Sequence, residues 1–293
     1  MNRFLSRLGL FSALIVVAVV LTVWFDTMVT LRDVDRAYNL PKDVETVFLG
    51  SSQVGCSIVE KPEYHNYVLW SSEKTIYSSL ARLRELERRG QLAKVKNCVV
   101  YWNLMTLHQQ RPDDINRSWW AEFPVTWNRR ADFPSSDWSK FKWAIGHLQW
   151  PMNFSVKSSV PDREHVVGEQ SAEWKRNFYD ELTNTVSRFR VADLTSGWKV
   201  ATQRCYLEMS RICKAHGIRF VVVGFPMLNT ISCHYASDHH AAVREIVEFF
   251  QEQGIEFVHY IGPDDETVFF DDVHMIRRTA EEYTARLYQQ LSL

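Results

Sequence analysis

The chain has 293 residues, with 34 Lys and Arg against 35 Asp and Glu. A net charge of -1 and a pI near 6.8 exclude an electrostatically driven nucleic-acid binder. An apolar content of 46% with 11 Gly and 9 Pro excludes disordered and collagen-like chains, and the length allows one large domain or two small ones.

The chain opens on a membrane signal. Leu8–Phe25 reads LGLFSALIVVAVVLTVWF, with no charge and Gly9 as its one strong helix breaker. At ~1.5 Å per residue the run spans ~27 Å, close to the hydrocarbon thickness of a bilayer. Arg3 and Arg7 precede it and Trp24 sits at its far end as an interfacial anchor. A secretory signal peptide has a shorter apolar stretch followed by a small-x-small site, whereas this run ends Trp24-Phe25-Asp26-Thr27-Met28. The expectation is an uncleaved anchor over 8–25, with residues 1–7 in the cytoplasm and the remainder extracytoplasmic. Arg3 and Arg7 lie against the run, while Arg32 and Arg36 lie further from its other end. Residues 26–43 form a polar juxtamembrane linker, and a domain over 44–293 follows.

Val44–Gly50 is a short β-rich run ending in glycine and predicts a buried strand. Tyr67–Trp70 is a candidate second strand. Thr75–Arg89 predicts a helix with Ile76, Leu80, Leu83 and Leu86 on one face and Gly90 as its stop. Cys98–Trp102 predicts a strand. The helix Gln203–His216 leads to the strand Phe220–Gly224, and the helix Ala241–Gln253 to the strand Phe257–Ile261. A last helix covers Ile276–Leu291. Gly217 and Gly254 fall where a helix-to-strand loop wants a left-handed cap. This alternation predicts an α/β fold with a mainly parallel sheet. It is interrupted at about 104–200 by an insertion carrying Trp119, Trp120, Trp127, Trp138, Trp143, Trp150, Trp174 and Trp198. Aromatic faces there suit either sugar stacking or ordinary core and interface packing.

Three groups of residues are candidates for chemistry. The first is Gly50-Ser51-Ser52-Gln53-Val54-Gly55, directly after the first strand. A hydroxyl at that point stands at the carboxyl edge of a parallel sheet, where active sites of open α/β folds lie. Gly50 is expected to permit a sharp turn, and a following helix to aim amides at an oxyanion. The spacing is not that of the G-x-S-x-G nucleophile elbow. The second is Asp271-Asp272-Val273-His274, just before the last helix. Read as one helical turn, it puts the Asp271 carboxylate beside the His274 imidazole, where it can hold Nδ1–H and leave Nε2 as a base. The third is Cys233-His234 with Asp238-His239-His240. Adjacent residues at a helix start point apart, so it is read as a polar helix start rather than a metal site, and neither a metal nor a cofactor is expected. No Walker loop, GxGxxG or HExxH occurs. Of the five cysteines, Cys205 and Cys213 are too far apart on one helix to bridge, ~12 Å against a ~7 Å limit. At most one disulfide is expected.

An early strand-Gly-x-Ser with a late D-x-x-H before the terminal helix resembles the SGNH/GDSL hydrolase superfamily. The resemblance covers roughly 44–60, 95–105 and 218–290 and implies a flavodoxin-like three-layer domain with Ser52 as nucleophile, His274 as base and Asp271 as its acid partner. Asn103, after the second of these strands, matches the oxyanion asparagine. The block after Tyr67–Trp70 reads Ser71-Ser72 where the superfamily keeps a glycine. Those two residues are therefore candidates for an oxyanion or substrate contact through backbone amides. Gly50-Ser51-Ser52, the N-terminal anchor and Met275 after the histidine look most like the membrane-anchored branch that includes alginate O-acetylation and teichoic-acid D-alanylation proteins. That likeness implies an acyltransferase acting on a cell-envelope polysaccharide in the periplasm, working beside a membrane-bound O-acyltransferase (MBOAT). The alternatives are a carbohydrate esterase, which differs only in using water as acceptor, and a catalytically weak or inactive glycan-binding or scaffold partner.

Overall fold

Near-continuous apolar runs such as Val47-Phe48-Leu49 and Val221-Val222-Val223 are buried on both faces, as a parallel sheet between two helical layers requires. The computed structural model describes residues 38–71, 76–102, 198–225, 236–259, 268–269 and 274–293, with part of the segment 7–21. The strands are β1 (Thr46–Ser51), β2 (Asn66–Ser71), β3 (Asn97–Trp102), β4 (Arg219–Gly224) and β5 (Glu256–His259). They form one sheet in the order β2-β1-β3-β4-β5 with every pairing parallel. This is the doubly wound, flavodoxin-like order, whose switch point lies between β1 and β3. The expected α/β three-layer fold is the one observed.

The helices are α1 (Ser52–Ser57), α2 (Ile76–Arg88), α3 (Trp198–Ala215), α4 (Ala236–Glu252) and α5 (Arg277–Leu291). Strand side chains alternate between two cores. Val47, Leu49, Cys98, Val100, Phe220 and Val222 face α2, α3 and α4, meeting Leu83, Leu86, Met209, Ile212, Ile246 and Phe250. Phe48, Val68, Val99, Tyr101, Val221 and Val223 face α1 and α5, meeting Val54, Ile58, Tyr283, Leu287 and Leu291. Gly217 and Gly254 take φ of +69° and +63° and end α3 and α4 as the sequence predicts.

Element bounds move little from those expected. α3 begins at Trp198 rather than Gln203, and α4 at Ala236 rather than Ala241. The first turn of α4, Ala236 to His240, is polar and carries no apolar stripe, so periodicity marks that helix late. The insertion falls almost wholly outside the described residues. Among the described residues, no helix is long and apolar enough to cross a membrane. Leu10, Phe11, Leu14, Val17 and Leu21, which are helical, are all more than half exposed, at 64%, 62%, 59%, 54% and 58%.

The last helix is tied to the first by a buried hydroxyl. Thr284, fully buried on α5, accepts the Val59 amide at 3.0 Å and reaches the carbonyls of Ala280 at 2.7 Å and Ser57 at 3.2 Å. One turn on, Tyr288 donates to the Tyr64 carbonyl at 3.2 Å, and the two rings stack with centroids 4.4 Å apart. These contacts fix α5 against the chain that leaves α1. Thr284→Val keeps the shape but strands the Val59 amide in the core. It should lower unfolding free energy by roughly 1–3 kcal/mol in urea titrations, and an unchanged midpoint would contradict the assigned bond.

Candidate active site

The serine turn is shaped by steric closeness. Sequence reasoning assigned Gly50 to a sharp turn, but its backbone is not left-handed. Glycine is needed there because a Cβ would collide with Val54 Cγ2 and lie 2.8 Å from Tyr101 Cδ1. Gly55 has the same role one turn into α1, where a Cβ would come within 2.5 Å of the Trp70 indole. The two glycines let α1 lie directly on the ends of β2 and β3.

Ser51 and Ser52 divide the work. Ser51 is the N-cap of α1, extended at φ −86° and ψ −173°, and its Oγ accepts the Gln53 amide at 3.3 Å. It is buried. Ser52 is the first helical residue and is partly exposed. Its Oγ lies 2.8 Å from His274 Nε2, across 222 positions of sequence.

His274 reaches that point from an extended segment. As expected, it precedes the last helix: α5 starts at Arg277, with Ile276 as its N-cap, and the turn expected over Asp271–His274 lies mostly outside the described residues. Met275 pairs with Phe269 in an isolated antiparallel bridge, and the Ile276 amide donates to the Val268 carbonyl at 3.1 Å. Both bridge side chains are buried, Phe269 fully. Asp271 lies outside the described residues. So do Asn103 and Ser72. Ser71 is the last residue of β2 and pairs in register with Ser51.

Two residues beneath the turn went unnoticed in the sequence. Arg82 of α2 is 1% exposed, and its Nη1 donates to the carbonyls of Gly50 at 3.2 Å and Leu69 at 3.0 Å. Tyr101, also buried, lies beside both Ser51 and Arg82; burial pushes its phenol above the usual range, while the Ser51 side chain and the Arg82 charge pull it back. It stays neutral at physiological pH. Spacing alone offered a signal for Arg82, which shares a helical stripe with Ser79 and Leu86, both fully buried.

Cysteine is a poor nucleophile candidate here. Cys56, Cys98, Cys205 and Cys213 are thiols. The adjacent Cys213 thiol and burial hold Cys98 well above its ordinary range, and burial pushes Cys205 up to about 12. Such thiols stay protonated and inert. In the third candidate group, Asp238, His239 and His240 fall in the first turn of α4, while Cys233 and His234 lie outside the described residues. Among the described residues, no group of three or more His, Cys, Asp or Glu is placed to hold a metal.

No family model and no curated protein matches the chain. Solved structures do, two of them as follows. One is a candidate acylhydrolase from Bacteroides fragilis NCTC 9343, 12% identical, with a TM-score of 0.42 and coverage of 88% of this chain and 92% of that one. The other is a GDSL-like lipase from Bacteroides thetaiotaomicron VPI-5482, 10% identical, with a TM-score of 0.40 and coverage of 91% and 96%.

The turn geometry orders two substitutions by cost. Ser51→Ala removes a cap and should lose about 1 kcal/mol in urea unfolding. Gly50→Ala forces a methyl into Val54 and Tyr101 and should lose roughly 1–3 kcal/mol. A Gly50→Ala chain as stable as wild type would show that α1 does not press on the strand ends as described.

Proposed function

We propose that the chain is a membrane-anchored, extracytoplasmic SGNH-type acyltransferase that modifies a cell-envelope polysaccharide through a Ser52–His274–Asp271 triad. The observation that carries the reading is the 2.8 Å separation of Ser52 Oγ and His274 Nε2 at the carboxyl edge of the sheet, beside its switch point. A binding or scaffold role gives no reason for a hydroxyl and an imidazole 222 positions apart to meet at hydrogen-bond distance.

In this mechanism Ser52 Oγ attacks the carbonyl carbon of an acyl donor while its proton passes to His274 Nε2. Asp271 accepts the Nδ1–H and stabilises the imidazolium. The Ser52 amide, unpartnered within the helix as first-turn amides are, stabilises the oxyanion together with Asn103 and an amide from Ser71 or Ser72. Collapse expels the donor's leaving group, protonated by His274. A sugar hydroxyl then attacks the acyl-serine, His274 takes its proton, and Ser52 is restored. With water in place of the sugar the same steps hydrolyse an ester, so the acceptor alone separates transferase from esterase. An anchor at 8–25 would keep Ser52 near the bilayer, at high effective concentration for an acyl donor carried across it by an MBOAT partner.

A fluorophosphonate should label wild-type chain at Ser52, and Ser52→Ala should abolish both labelling and turnover while leaving the fold intact. His274→Ala should slow turnover roughly 10³-fold or more, and Asp271→Asn severely, with Asp272→Asn mild. Wild-type turnover in folded Ser52→Ala would end the acyl-enzyme reading. Protease added to intact spheroplasts should digest the domain, and the full chain should co-purify with a membrane-bound O-acyltransferase. Protection of the domain would reverse the orientation, and purification alone would remove the partner.

A further inference from the structure

We infer that Arg82 is a positioning residue for acyl transfer at Ser52, its buried guanidinium setting the spacing between the serine turn after β1 and the carboxyl end of β2. The inference rests on the reading of Ser52 as nucleophile and deepens it.

The geometry is specific. One guanidinium nitrogen donates to two carbonyls on neighbouring strands, that of Gly50 at 3.2 Å and that of Leu69 at 3.0 Å. Gly50 pairs with Trp70 and Ser51 with Ser71 in the β1–β2 register. The two carbonyls therefore belong to the peptide units that lead directly into Ser51 and into Trp70. A rigid donor between them fixes how far apart the strands sit where they leave the sheet. It acts at the carboxyl ends of the two strands, one of which leads into Ser52.

Ser51, the residue after Gly50, caps the helix that Ser52 begins. Arg82 thus bears on the serine turn through the Gly50 carbonyl. Stability does not call for such a residue. Burying a guanidinium carries a large desolvation penalty, and an apolar side chain of like volume commonly serves the fold as well or better. A planar, always-charged group suits the task, because it holds backbone oxygens in fixed directions where a lysine offers one movable point charge.

The test uses the full chain, a fluorophosphonate as the probe for Ser52, and two variants, Arg82→Met and Arg82→Lys. Thermal melts establish that each folds. The readout is the maximal labelling rate per reactive serine, separated from the concentration that gives half that rate. We expect Arg82→Met to lower the maximal rate roughly 10–100-fold with the half-saturating concentration nearly unchanged, since small misplacements of a nucleophile cost on that order. Arg82→Lys should recover only part of the loss. A purely structural role would lower the melting temperature or the labelled fraction and leave the rate per labelled serine alone. A folded Arg82→Met with the wild-type rate overturns the inference. If Arg82→Met does not fold, a folded Arg82→Lys with the wild-type rate does so. Failure of wild-type chain to label at Ser52 would remove the acyl-enzyme reading and this one with it, an outcome distinct from labelling that ignores Arg82.

Discussion

The contact between Ser52 Oγ and His274 Nε2 has to be held to a fraction of an ångström by parts of the chain 222 residues apart. Most of the described architecture bears on that constraint. β1 sits inside the sheet between β2 and β3, so its carboxyl end has rigid neighbours on both sides. α1 is short and lies flat on those ends. α5 closes over α1 from the far terminus, fastened by Thr284 to the carbonyl of Ser57 and the amide of Val59. His274 stands just ahead of α5, next to Met275, which pairs with Phe269 in the core. If any of these fasteners slackened, the histidine would move relative to the serine.

Placing the hydroxyl also demands unusual closeness of backbone to sheet. Gly50 and Gly55 have no side chains because Val54, Tyr101 and the Trp70 ring occupy the space. Arg82 meets the Gly50 and Leu69 carbonyls, Ser51 meets the Gln53 amide, and from the opposite face Tyr206 donates to the Tyr101 carbonyl at 3.0 Å. The underside of the site is tightly packed, and the side bearing Ser52 and His274 is partly open to solvent.

How far the sequence anticipated this follows from which physical signals are local. Val47-Phe48-Leu49, Val99-Val100 and Val221-Val222-Val223 are apolar runs that only a doubly covered strand requires, and the glycines at 217 and 254 punctuate helices by backbone chirality alone, so sheet and helices were readable. Ser52 and His274 were readable because each sits at an element boundary. What escaped was set by contacts between distant segments. Gly50 looked like a turn glycine because its crowding by Tyr101 involves residues 51 positions away. The extended approach of His274 depends on a bridge between Phe269 and Met275, and two apolar residues six apart do not announce a bridge. Arg82 was passed over because a charged residue in a helix is ordinarily assigned to the solvent face; its stripe with Ser79 and Leu86 was a weak signal, and the two strand carbonyls above it give the reason.

Sheet topology also sets where the chain closes on itself. The chain leaves β3 at Trp102 and β4 at Gly224. In a parallel sheet both departures are from the carboxyl edge, the edge that bears Ser52. The elements that hold Ser52 against His274 lie in 46–71 and 268–291. The Ser52–His274 contact is thus closed by the first and last elements of the sheet domain, at the edge from which the chain also leaves β3 and β4.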